Sequence, residues 1–82
     1  MNRRPIAAHL IAAWVSTRCL TGAKLWEHAG ALYDSWRRYA HAQRAEPGSP
    51  AEFAEEMERR GYAVDRVPPV SRGRIRWGLR LR

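Results

Sequence analysis

The chain has 82 residues, 45% of them hydrophobic, which is enough for one small core and leaves no room for a second domain, so residues 1–82 are expected to form a single domain. Fifteen Lys and Arg against eight Asp and Glu give a net charge of +7, a balance that favours polyanionic partners over acidic or neutral surfaces. No apolar run approaches the roughly 18 residues of a membrane span, and a lone Cys19 excludes an intrachain disulfide and a thiolate zinc site, so the expectation is a cytoplasmic protein with neither metal nor cofactor.

In chain order, residues 1–4 carry Arg3 and Arg4 and read as a short basic arm. Residues 5–18 read as a helix, because Pro5 suits a first turn and Ile6, Leu10, Ala13, Trp14 and Thr17 recur at helical spacing. Thr21, just ahead of Gly22, is placed to cap a second helix that runs to about residue 43 with Leu25, Ala29, Leu32, Trp36 and Tyr39 on one stripe. Its other side mixes Lys24, Glu27, Asp34, Arg37, Arg38 and His41 and ends basic. Residues 46–50, Glu-Pro-Gly-Ser-Pro, form a turn from which Ser49, Pro50 and Glu52 open a third helix with a capping box. Phe53 and Met57 face the core from this helix, and Gly61 supplies the left-handed residue that ends it.

Beyond Gly61 the apolar period drops to two. Tyr62, Val64 and Val67 predict one strand, and Ile75, Trp77, Leu79 and Leu81, alternating with Arg74, Arg76, Gly78, Arg80 and Arg82, predict a second. The connection over residues 68–73 starts with two prolines and carries Arg72 near its tip. Three helices followed by a C-terminal hairpin with an arginine-rich wing predict an α+β winged helix.

Several residues then fall into a recognisable order: Arg18-Cys19 ending the first helix, Leu32-Tyr33 and Trp36 in the second, Ser49-Pro50 with Phe53 opening the third, Arg60-Gly61-Tyr62 closing it, and Gly78-Leu79 in the last strand. In these positions the chain resembles the C-terminal winged-helix domain of phage, plasmid and poxvirus primase-helicases, over most of its length. The resemblance implies a phage or mobile-element protein that contacts DNA at origins or forks, as a replication accessory, without enzymatic activity of its own. Two departures qualify it. No primase or ATPase portion and no Gly-rich phosphate loop lies in these residues, so a stand-alone role is expected, and the third helix turns Ala51, Glu52, Glu55 and Glu58 outward, with Arg59 and Arg60 only at its end.

The residues expected to touch DNA are therefore Arg72, Arg74, Arg76, Arg80 and Arg82 of the wing, Arg59 and Arg60 at the end of the third helix, and Arg37 and Arg38 of the second. The bland reading of the wing arginines is a solvated strand face that discourages aggregation, but a cluster of one sign with no acid after Asp65 favours a polyanion. The rival function is a protein partner. Glu52, Glu55 and Glu58 would then present an acidic helix to a basic groove, as in a small phage-encoded inhibitor of the anti-CRISPR kind or an adaptor. A homodimer paired through the edge of the last strand is a third possibility beside a monomer.

Trp14, Trp36 and Trp77 lie on apolar stripes and read as core, which leaves Trp26 as the one tryptophan to consider for base stacking. His9, His28 and His41 have no metal-ligand spacing. Ser16, Ser35, Ser49 and Ser71 lie in no nucleophile elbow, and Cys19 reads as a small buried hydrophobe, so no catalysis is expected.

Overall fold

The structure, a computed structural model, describes residues 6–66 and 74–82, with only the backbone described at 65 and 66. The Arg3-Arg4 arm, Val67 and the connection that carries Arg72 lie outside the described residues. A 3-10 turn, Ala8–Leu10, leads into α1, Ile11–Arg18, whose Ile11, Trp14 and Val15 are buried on one stripe. Then come β1 (Cys19–His28), α2 (Ala29–Ala42), α3 (Pro50–Arg59), β2 (Val64–Arg66) and β3 (Arg74–Leu81). The domain is thus α+β, with three α-helices and an antiparallel sheet in the order β1-β3-β2.

Where a long second helix was expected from Thr21, residues 19–28 are instead a strand, and α2 begins only at Ala29, after an extended His28 with no side-chain cap. Tertiary pairing decides this. Gly22 is a poor helix residue, and β3 pairs with the backbone of Cys19–Thr21 and Trp26–His28 on either side of it. β3 lies between β1 and β2, and β2 covers it over Arg74–Arg76.

The pairing is irregular. Cys19, Leu20 and Thr21 face Leu81, Arg80 and Leu79, whereas Trp26, Glu27 and His28 face Trp77, Arg76 and Ile75, so residues 22–25 have no partners in the ladder. Across this break sits Gly78 at φ 102°, a conformation that side chains avoid, and a Cβ there would come within 3.0 Å of the Tyr62 ring. The kink breaks the period of two that the sequence displays.

α3 opens as expected. The Ser49 hydroxyl accepts from the Glu52 N–H at 3.1 Å, and the Glu52 carboxylate accepts from the Ser49 N–H at 2.8 Å, completing the capping box. It closes on Gly61 at φ 92°, with Gly61 N–H on Glu58 O and Tyr62 N–H on Met57 O, the paired bonds of a Schellman end.

The core is aromatic. Trp14 meets Trp36 and Phe53 edge-on at 6.0 and 5.7 Å, while Trp36 and Phe53 stack at 6.4 Å, joining all three helices. Both indole N–H groups are satisfied, Trp14 donating to Ser35 Oγ at 3.0 Å and Trp36 to Pro47 O at 2.8 Å. Tyr33 donates to Gly48 O at 2.7 Å, so the loop before α3 hangs from side chains of α2. Leu32, Met57, Cys19 and Leu79 fill the remaining space.

Ser49→Ala is expected to lower the unfolding free energy by about 1 kcal/mol, and Trp36→Ala by roughly 3–5 kcal/mol. Both are read from the midpoints of urea unfolding.

Candidate nucleic-acid interface

The predicted contact arginines divide into those the fold uses internally and those it leaves to solvent. Arg76 belongs to the first group. Opposite Glu27 and Val64 in the ladder, it is only 3% exposed. Its guanidinium donates to Tyr62 O at 2.8 Å and lies 3.9 Å from a Glu58 carboxylate oxygen, and its Nε has no hydrogen-bond partner among the described residues. Burial pulls its pKa below the ordinary value, with Glu58 opposing the change and Arg74 adding to it. The expectation of Arg76 as one tooth of a solvent-facing comb is therefore corrected.

Arg60 is also committed to the fold. Its Nε donates to the buried Glu56 at 2.9 Å and its terminal nitrogen to Ala8 O at 3.0 Å, so it staples the end of α3 to the turn before α1. Arg59 pairs with the other oxygen of Glu56, though most of its side chain stays exposed. Arg37 and Arg38 both reach Asp34, at 2.8 and 3.0 Å. The hydrogen bond from Arg37 holds the Asp34 carboxyl below the usual range, and Arg38 adds to the effect. Arg38 nevertheless keeps 75% of its side chain in solvent.

Arg74, Arg80 and Arg82 are exposed on β3 and at its end. The Arg82 backbone N–H donates to Arg18 O at 3.0 Å, and its guanidinium reaches Ser16 O at 3.4 Å. The end of the chain is thereby tied to the end of α1. An open groove of about 650 Å³ lies there, lined by Arg18, Arg38, Tyr39, Asp34, Leu81 and Arg82 among others. The Arg18 guanidinium sits 5.7 Å from the centre of the Tyr39 ring.

On α3, Glu55 and Glu58 are exposed as expected, but Glu52 is half-buried with its carboxylate engaged in the capping box, which corrects its assignment to an outward acidic face. Glu56, absent from the predicted sites, is the buried anchor for Arg59 and Arg60.

The sheet carries what sequence reasoning missed. Trp77, expected in the core, is 38% exposed, and it stands directly opposite Trp26, which is 43% exposed. His28 meets the Trp26 ring edge-on at 5.5 Å. The available signal was Gly78, since an isolated glycine in a strand marks a bulge beyond which the inward and outward sets exchange.

Cys19 is buried, and its thiol is pushed up to about 11 by burial first and by Glu27 second, with Arg82 opposing. Among the described residues no group of three or more His, Cys, Asp or Glu is placed to hold a metal ion, and no helix is long and apolar enough to cross a membrane. Compared with protein families, curated proteins and solved structures, the chain matches no family model, no curated protein and no solved structure.

Arg76→Glu is expected to destabilise the fold by about 3 kcal/mol or more, since it buries a carboxylate near Glu58. Arg80→Glu, at an exposed position, stays within about 0.5 kcal/mol of wild type, and thermal melts separate the two. At about pH 8, Cys19 should react with a thiol reagent only as fast as the chain opens, and at full rate in denaturant.

Proposed function

We propose that this domain is a winged helix that binds DNA and catalyses no reaction. The observation that carries the reading is the topology: helix, strand, two helices and two strands, with the last strand between the other two. In that arrangement α2 and α3 form the helical pair of a helix-turn-helix and the connection between β2 and β3 is the wing. Net charge supports it, and so does the exposure of Arg74, Arg80, Arg82 and Arg38. Arg72 joins them in this reading by its position in the sequence between β2 and β3. With Arg76 and Arg60 bonded to the protein itself, backbone contact rests on the exposed arginines. Glu55 and Glu58 would repel phosphates from the middle of α3, so binding is led by the wing. The resemblance to primase-helicase winged helices supports a replication-accessory role, of phage or mobile-element origin, and with it a cytoplasmic location.

A second reading rests on the exposure of Glu55 and Glu58, which suits a basic groove on a protein partner, as an inhibitor or adaptor would present. Charge reversal separates the two. Fluorescence anisotropy with labelled random duplex should show affinity falling steeply with salt, by about 0.9 log units per log unit of salt for each phosphate neutralised. Four such contacts would lose on the order of a hundredfold between about 50 and about 200 mM salt. The variant with Arg74→Glu and Arg80→Glu should lose at least about tenfold at low salt, whereas Glu55→Lys with Glu58→Lys should keep or gain affinity. Absence of micromolar binding to duplex at low salt would overturn the DNA reading.

A further inference from the structure

Two tryptophans side by side, each partly exposed, call for a physical reason. Trp26 and Trp77 face each other across β1 and β3, so their side chains leave the same side of the sheet. Exposures of 43% and 38% leave much of each indole in water, although Trp is on average a highly buried residue. Filling the core does not account for them, because Trp14 and Trp36 already supply that core and have both indole N–H groups satisfied. Trp26 is moreover oriented by His28, which stands edge-on to it at 5.5 Å with an interplanar angle of 89°.

The charge around this pair selects the partner. Arg80 is exposed and faces Leu20 in the same ladder, and Lys24 is exposed in the segment that leaves the ladder just before Trp26. Of the carboxylates whose side chains are described, Glu46, Glu52, Glu55, Glu56 and Glu58 lie on α3 or just before it, and Asp34 lies on α2. Glu27, between Trp26 and His28, takes the opposite side of the strand, where its carboxylate accepts from the backbone N–H groups of Leu81 at 3.2 Å and His28 at 3.3 Å. Exposed indoles on a sheet that also exposes Arg80 and Lys24 fit a polyanion that itself carries aromatic rings. A second copy of the chain, also at +7, would bring like charge to the same place.

We propose that the outer face of the sheet is a stacking platform for unpaired bases, with Trp26 and Trp77 receiving neighbouring nucleobases and Arg80 and Lys24 holding the phosphates that link them. The ligand class is single-stranded nucleic acid, since bases within a duplex are already stacked on each other and present no free face. The inference rests on the nucleic-acid reading above and adds a second site to it, one for the unpaired strand beside the wing for the duplex. A domain with both would hold a junction between paired and melted DNA.

The test uses the full chain with an oligothymidylate and, separately, a hairpin duplex. Oligothymidylate is expected to quench tryptophan emission, because two of the four indoles are open to it. Trp26→Ala with Trp77→Ala should weaken oligothymidylate binding by roughly tenfold or more and leave duplex binding unchanged. Trp26→Phe with Trp77→Phe should recover most of the loss. Thermal melting of each variant confirms folding, and Trp26→Ala alone carries the test if the change at Trp77 loosens β3. Equal oligothymidylate affinity in the alanine and wild-type proteins overturns the proposal, as does an equal loss for both DNAs. Duplex binding without oligothymidylate binding overturns this proposal and spares the winged-helix reading. No binding of either DNA overturns both. Sedimentation that shows a wild-type dimer and a monomeric alanine variant also overturns it, assigning the face to contact between copies.

Discussion

The position of β3 between β1 and β2 is the constraint on which the rest of this domain depends. By pairing with Cys19–Thr21 and Trp26–His28 it turns into strand the stretch where the second helix was expected to start, and so sets where α2 begins. By pairing with Val64–Arg66 it brings the chain after α3 back onto the sheet. The break in its ladder with β1, opposite Gly78, then decides which side chains enter the core and which leave it. Leu79 and Leu81 pack against the helices beyond the break, while before it Arg76 is buried and Trp77 faces outward. One glycine with a positive φ thus exchanges an arginine for a tryptophan at the surface.

That exchange changes how the charge of the protein is to be understood. A net +7 invites the view that every arginine is available to a polyanion, yet several are consumed by the fold. Arg60 joins α3 to the turn before α1, Arg76 holds the carbonyl of Tyr62, and Arg59 and Arg37 are paired with neighbouring carboxylates on their own helices. Planar guanidinium groups suit this work, because they satisfy a carbonyl and a carboxylate at once. The exposed positive charge therefore comes from a smaller set that includes Arg74, Arg80, Arg82 and Arg38, and a substitution at Arg76 or Arg60 tests folding before it tests binding.

The two proposed surfaces are connected by the same strand. β3 carries Arg74 at its start, Trp77 and Arg80 on its length, and the strand leads to Arg82, which meets the end of α1. The helical core behind it is well anchored: three aromatic rings in mutual contact and a capped α3 hold the far side of the domain. A strand supported in this way can keep exposed indoles in fixed places, which stacking on a base requires, since loosely held rings would lose more entropy on binding.

The features legible in the sequence were those set by neighbours in the chain. The capping box of Ser49 and Glu52, the glycine stop at Gly61, the apolar stripe that includes Leu32 and Trp36, and the strand over residues 74–81 all follow from local chemistry that acts within a few residues. Burial of Trp14, Trp36 and Phe53 was legible for the same reason. What only the tertiary structure decided involved partners distant in sequence. The strand at 19–28 exists because residues 75–81 lie beside it, and its local periodicity also suits a helix. The burial of Arg76 and the exposure of Trp77 depend on a register shift in which four residues of one strand, 22–25, lie across from one of the other, Gly78. A period of two says that successive side chains alternate, but only the pairing across the sheet says where the alternation slips, and that slip determines which side chains this protein presents to solvent.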